Sequence, residues 1–250
     1  MQVKRWAFIA LISLVAGTFP ALAGDYRLLT LNGSLVKWGK PALGASATVT
    51  YAFAIKTQTF KGARNCTSMA AFDRLVTASG FGVESLRDEV RAAFDEWERV
   101  SAITFLEIDR AEDAGIVIGS QGKPAGWAFS NVVPMTQSAD RPVTVQKALG
   151  GIGDKAEQHP TTRVPTVDSI RQSLICLNPM KPWKVGFDGD LKVYDIRHTI
   201  AHEIGHAIGL DHPGASGSLM AFRYDEKIDG PQAGDIAAVQ RLYGPPRPQQ

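Results

Sequence analysis

The chain has 250 residues, 44% hydrophobic and 21% charged, with 27 basic and 25 acidic side chains and a formal charge of +2. This balance excludes the strongly basic surface that would recommend nucleic acid or an anionic membrane as a partner. The length and apolar content are sufficient for one domain with a real core.

The first element is a targeting segment. Lys4 and Arg5 form a basic region, AFIALISLVAGTF an apolar core, and Ala21-Leu22-Ala23 a small-residue cleavage site. The apolar run is short for a membrane span, and no other approaches 18 residues, so no anchor is expected in the mature chain. Cleavage after Ala23 would remove two basic residues and no acidic one, leaving a neutral balance, in a secreted or periplasmic protein. Residues 1–23 are thus a signal peptide, 24–244 one domain and 245–250 a disordered tail.

Within the domain, TVTYAFAI (48–55) alternates as a strand does. Residues 56–82 then intervene before SLRDEVRAAFDEWERV (85–100), whose Leu86, Val90, Phe94 and Trp97 form one helical stripe opposite charges. ITFLEI, GIVIGS and WAFSNVV read as three further strands and SLICLN as a fifth. Between the last two, residues 134–173 form a long stretch rich in proline, glycine and charge. Such a stretch is either a surface excursion or an overhang that limits access to a cleft. Asp188-Gly189-Asp190 suggests calcium, but three residues are no clear motif, and a turn is the simpler reading.

AHEIGHAIGLDHP (201–213) holds three of the five histidines. Asp195 is a good N-cap for a helix carrying Ile196, Ile200, Ile204 and Ile208. Four helical residues turn about 400° and rise about 6 Å, so His202 and His206 share a face and can grip one ion. Glu203 flanks that ion without binding it, in an open, water-filled cleft. In a continuous helix His212 would lie about 9 Å beyond His206 and about 240° around. Gly209 removes the difficulty by ending the helix in a left-handed conformation, which swings His212 back. His198 competes, but a 198–202–206 triplet would span about 12 Å, too far for bonds of about 2.0–2.1 Å. It belongs at the surface of the first turn or behind the ligands, and His159 in a polar loop facing solvent. Three nitrogen ligands leave one zinc position open, as catalytic sites do. Water held there becomes a nucleophile near neutral pH, with Glu203 as its general base.

HEIGHAIGLDH resembles the extended zinc motif of the metzincin metallopeptidases. SLMAFRY and DIAAVQRLYG resemble the matrixin branch of that clan. The resemblance implies an α+β, zincin-like fold: a twisted, mostly parallel five-stranded sheet with a long helix, an active-site helix and a C-terminal helix. It also makes Met220 the Met-turn residue beneath the zinc, and Tyr224 a wall of the pocket for the residue after the cut bond. Gly230-Pro231 would supply the N-cap and first position of the last helix. This chain departs from the matrixin pattern at Phe222, where a proline is usual, and at Pro213, often serine. No cysteine-switch motif is present, and the loops that hold calcium and structural zinc in animal matrixins have no clear match.

The implied activity is that of a zinc metalloendopeptidase with one catalytic Zn2+, acting on protein or peptide as a monomer. Two rivals remain: a non-catalytic, zinc-stabilised binding module (an adhesin or inhibitor), and a zinc amidase with a non-protein substrate. Glu203 separates enzyme from module, because a structural site has little need of it. Cys66 and Cys176 suit one disulfide in an exported chain; the rival is Cys66 as a thiolate latch on zinc.

Overall fold

The computed structural model describes residues 25–135 and 165–247. The targeting segment, His159, most of the 134–173 stretch and the end of the tail lie outside the described residues.

The N-terminal segment contributes three short strands, β1 (Arg27–Leu28), β2 (Thr30–Leu31) and β3 (Ser34–Lys37). Strand β4 (Ala47–Phe53) follows, and then a hairpin of β5 (Gln58–Thr59) and β6 (Ser68–Ala70). Helices α1 (Asp73–Ser79) and α2 (Val83–Val100) lead into β7 (Ile103–Glu107), β8 (Ile116–Gln121), β9 (Ala128–Pro134) and β10 (Val167–Leu177). The last third holds a two-strand pair, β11 (Trp183–Lys184) and β12 (Tyr194–Asp195), then α3 (Ile196–Ala207), β13 (Leu210–Asp211) and α4 (Ala233–Tyr243).

The five strands expected from sequence belong to one sheet. Strand β4 pairs in parallel with β7 and β8, β8 in parallel with β10, and β10 antiparallel with β9. Four short strands extend this core to nine: β3 runs parallel to the start of β10, with β2 beside it, and β6 joins the end of β8, with β5 beyond. Among the described residues β9 pairs with β10 alone, so its other edge offers unpaired backbone groups.

Period-2 alternation sorts the sheet into two faces. Tyr51, Phe53, Ile116, Ile118, Ile175 and Leu177 face the helices. There they meet the stripe Leu86, Val90, Phe94 and Trp97 of α2, and Ile196, Ile200 and Ile204 of α3 with Ile208 at its C-cap, all buried. Ala52, Val117, Leu174 and Cys176 face the other way, under Cys66 and Met69. The segment 56–70 is therefore the cover of the second face. Cys66 and Cys176 are bonded across it, with Cα atoms 5.9 Å apart, and their sulfurs lie on the side of the sheet away from α3.

Most boundaries lie within two residues of expectation, and two of the differences have a clear cause. Strand β10 begins at Val167 rather than Ser173, because its first three residues find a partner in β3. Helix α4 begins at Ala233 with Gln232 as N-cap, not at Gly230-Pro231. Gln232 and Asp235 form a reciprocal capping box, satisfying two orphan N–H groups that glycine and proline side chains cannot reach.

Candidate metal centre

Helix α3 is fixed at both ends before any ligand is considered. Asp195 accepts from the His198 N–H at 2.7 Å as N-cap. At the other end the Ala207 carbonyl accepts from the Trp38 indole N–H at 2.9 Å and the Ser173 hydroxyl at 3.0 Å. The Ile208 carbonyl accepts from the Tyr243 hydroxyl at 2.7 Å. Side chains from three distant segments thus satisfy carbonyls that a helix C-terminus leaves orphaned. Gly209, at φ +105°, turns the chain into β13, which pairs antiparallel with β1 (Arg27 opposite Asp211, Leu28 opposite Leu210).

This turn returns His212 to the helix face. His212 Nε2 lies 3.1 Å from both His202 Nε2 and His206 Nε2. Nitrogens arranged tetrahedrally about 2.0–2.1 Å from one ion would be about 3.3 Å apart, so the spacing suits zinc. The tautomers suit it too. His202 Nδ1 is 2.8 Å from the Leu219 carbonyl and His206 Nδ1 is 3.0 Å from the Leu210 carbonyl. A carbonyl only accepts, so each Nδ1 carries the proton and each Nε2 points a lone pair at the shared centre. Burial holds all three imidazoles below their usual pKa, His202 well below, which keeps them neutral as ligands must be. Among the described residues no fourth side chain joins the three imidazoles, which leaves one position of a tetrahedral site open.

Glu203 lines the cleft but is buried at its floor rather than exposed as expected, and its Oε2 meets no hydrogen-bond partner among the described residues. Burial raises its carboxyl to about 7, and Ser130 offsets part of that rise. The Ser130 hydroxyl also donates to the Glu203 carbonyl at 2.8 Å, tying β9 to α3 beside the centre. Met220 is buried beneath α3, where Gly205 leaves room: a Cβ there would collide with its Sδ. Asp235 of α4 accepts from the Leu219 and Met220 N–H groups at 2.7 and 3.2 Å, holding the turn that supplies the carbonyl for His202.

A cleft of about 460 Å³ opens over His202, Glu203 and His206. Its wall is a stack of rings, Trp127 on Tyr194 at 4.1 Å and Tyr194 on Tyr224 at 4.4 Å. The Tyr224 hydroxyl accepts from the Asp195 N–H and donates to Glu226, whose carboxylate pairs with Lys184. His198 does not join the triplet. It is buried, with Nδ1 3.2 Å from the Ile228 carbonyl and its ring edge-on to Tyr224, on the cleft floor. The Asp188-Gly189-Asp190 segment is a turn in which Asp188 accepts from the Asp190 N–H and from Lys184. Ser130, Asp235, Trp127 and Tyr194 were not singled out from sequence; only their position in space connects them to the histidines.

An α+β domain with an HExxHxxGxxH motif that starts on a helix and brings its three histidines together, a buried methionine under that helix and an edge strand above it is the class these elements define. The matrixin (M10 peptidase) family model matches residues 71–244, and the chain belongs to that family. It is similar to a probable matrix metalloproteinase, 095L, of Invertebrate iridescent virus 3, with 30% identity over 173 residues, 64% of this chain and 38% of that protein. It is also similar to human matrix metalloproteinase-16, at 26% identity over 66% of this chain and 25% of the relative. Metalloendoproteinase 1-MMP of Arabidopsis thaliana is 26% identical over 65% of this chain and 39% of its own length. The similarity therefore takes in well under half of each relative.

Proposed function

We propose that the protein is an exported zinc endopeptidase. The observation that carries the reading is the buried Glu203 carboxyl, whose Oε2 meets no hydrogen-bond partner among the described residues, beside three converging imidazole nitrogens. His202, His206 and His212 would hold the ion, which when bound lowers the pKa of water toward about 7 and polarises a carbonyl. Glu203, raised to about 7 by burial, is suited to take a proton from the attacking water and pass it to the departing amine. The free edge of β9 would hold an extended peptide by main-chain hydrogen bonds. Tyr224 and its stacked neighbours would contact the side chain after the cut bond. Export is supported by the basic, apolar and small-residue succession in residues 1–23.

The test pairs zinc content with cleavage on one preparation. Glu203→Ala should keep its zinc and lose cleavage of peptides by about 10²–10⁴-fold, the usual worth of a positioned general base. Unchanged cleavage would mean that the hydrolysis comes from elsewhere and would end the metallopeptidase reading of this site. Loss of zinc would make Glu203 a structural residue.

A further inference from the structure

A second groove, of about 590 Å³, continues the cleft on the far side of the metal centre. The two halves share Asn65, Ser130 and His206 and then diverge along β9: the first follows Gly126–Ser130, the second Ser130–Pro134. The second half is walled by Leu29–Asn32 on one side and by Gly62, Arg64 and Asn65 on the other. Both walls lie outside residues 71–244, the part matched by the family model.

The wall at 62–65 is held in place. The Arg64 N–H donates to Asn131 Oδ1 of β9 at 2.8 Å, and the Gly122 N–H donates to the Ser68 carbonyl at 2.8 Å. Cys66, two residues on, is bonded to Cys176 of β10. Among the described residues, three charged or titratable side chains line the groove: Arg64, Asp211 and His206. Asp211 is paired with Arg27 at 3.0 Å, and His206 directs its nitrogen to the metal centre. The exposed Arg64 guanidinium is left as the charge this half presents to a ligand.

We propose that Arg64 is a specificity residue that selects an acidic side chain, aspartate or glutamate, among the residues ahead of the cut bond. The inference rests on the peptidase reading of the cleft: if the residue after the cut bond lies against Tyr224, those before it run along Asn131–Pro134, beneath Arg64. A guanidinium on an anchored loop meets a carboxylate with little of its own freedom left to lose.

The experiment uses peptides in which each of the four positions ahead of the cut carries Glu or Gln, at low ionic strength. At one position Glu should be cleaved about three- to fivefold faster than Gln, the size of a partly exposed ion pair. That ratio should fall to one in Arg64→Gln, drop below one in Arg64→Glu, and shrink as salt rises from about 0.05 to 0.5 M. The same Glu/Gln ratio in wild type and Arg64→Gln would overturn the proposal. The peptides are also tested for binding to zinc-loaded wild-type protein by fluorescence anisotropy. If nothing is cleaved, the peptidase reading fails, and this inference then stands or falls on whether Glu peptides bind tighter than Gln peptides in an Arg64-dependent way.

Discussion

At His202 and His206 a backbone carbonyl decides which ring nitrogen faces the shared centre. The spacing of the histidines made them legible as ligands, but the carbonyls of Leu219 and Leu210 were not, because a carbonyl carries no residue identity. His198 has the same helical phase as His202 yet donates from Nδ1 to Ile228, a turn away from the centre. His212→Ala should therefore bind zinc at least tenfold more weakly than wild type, as metal-site losses run. His198→Ala should bind it normally, with chelator competition as the measurement. Glu96 is a different case: buried, with Oε2 unpartnered, and raised to about 7 by burial. Arg197 and Arg99 pull its carboxyl back down, and Asp229 and Asp195 push it further up. Between about 4.5 and 7 the folded chain keeps a proton that the unfolded chain releases, so stability falls as pH rises through that window. Glu96→Gln should flatten this dependence and raise stability at pH 8 by about 1–3 kcal/mol, compared by urea unfolding at pH 5 and pH 8.

At the scale of elements, the helices were readable wherever a stripe met a partner, as in α2 and α3. The starts were less so: a glycine–proline pair resembles a helix start, but the Gln232–Asp235 box outweighs it because it satisfies donors. The strands missed were those with weak alternation. SLVK ends in Lys37, which is wholly buried; its stem packs inward while its ammonium donates to the Trp38 and Lys40 carbonyls at 2.7 and 2.9 Å. The Gly209 turn was legible as a hinge, but its tightness was not. A Cβ there would run into the Val36 carbonyl as well as strain the positive φ. Gly209→Ala should cost about 2 kcal/mol or more and weaken zinc binding along with it. A variant of wild-type stability and normal zinc affinity would show that His212 does not depend on this turn.

Across the whole molecule, the order of strands and helices was visible in the sequence, whereas the covers of the sheet were not. Residues 56–70 look like an insertion on paper because their partners, β8 and Cys176, lie 50 or more residues further along. The bond between Cys66 and Cys176 closes a separation of 110 residues, which the chain-entropy model values at about 4.7 kcal/mol. The double variant Cys66→Ser, Cys176→Ser should lose about 2–4 kcal/mol in thermal or urea unfolding. Unaltered stability would show that the strand pairing of β6 with β8 alone secures the cover.

The clamp on the end of α3 carries a consequence for timing. The Tyr243 hydroxyl accepts from the Trp38 N–H at 2.9 Å while donating to the Ile208 carbonyl, so the first and last parts of the domain meet at the ligand turn. Neither His202 nor His206 depends on that meeting for its place on the helix, but His212 does. A chain that has made its sheet and helices but has not yet brought Tyr243 home holds two ligands and an unsettled third. The closing of the three-histidine centre is thereby tied to Tyr243, among the last residues of the domain.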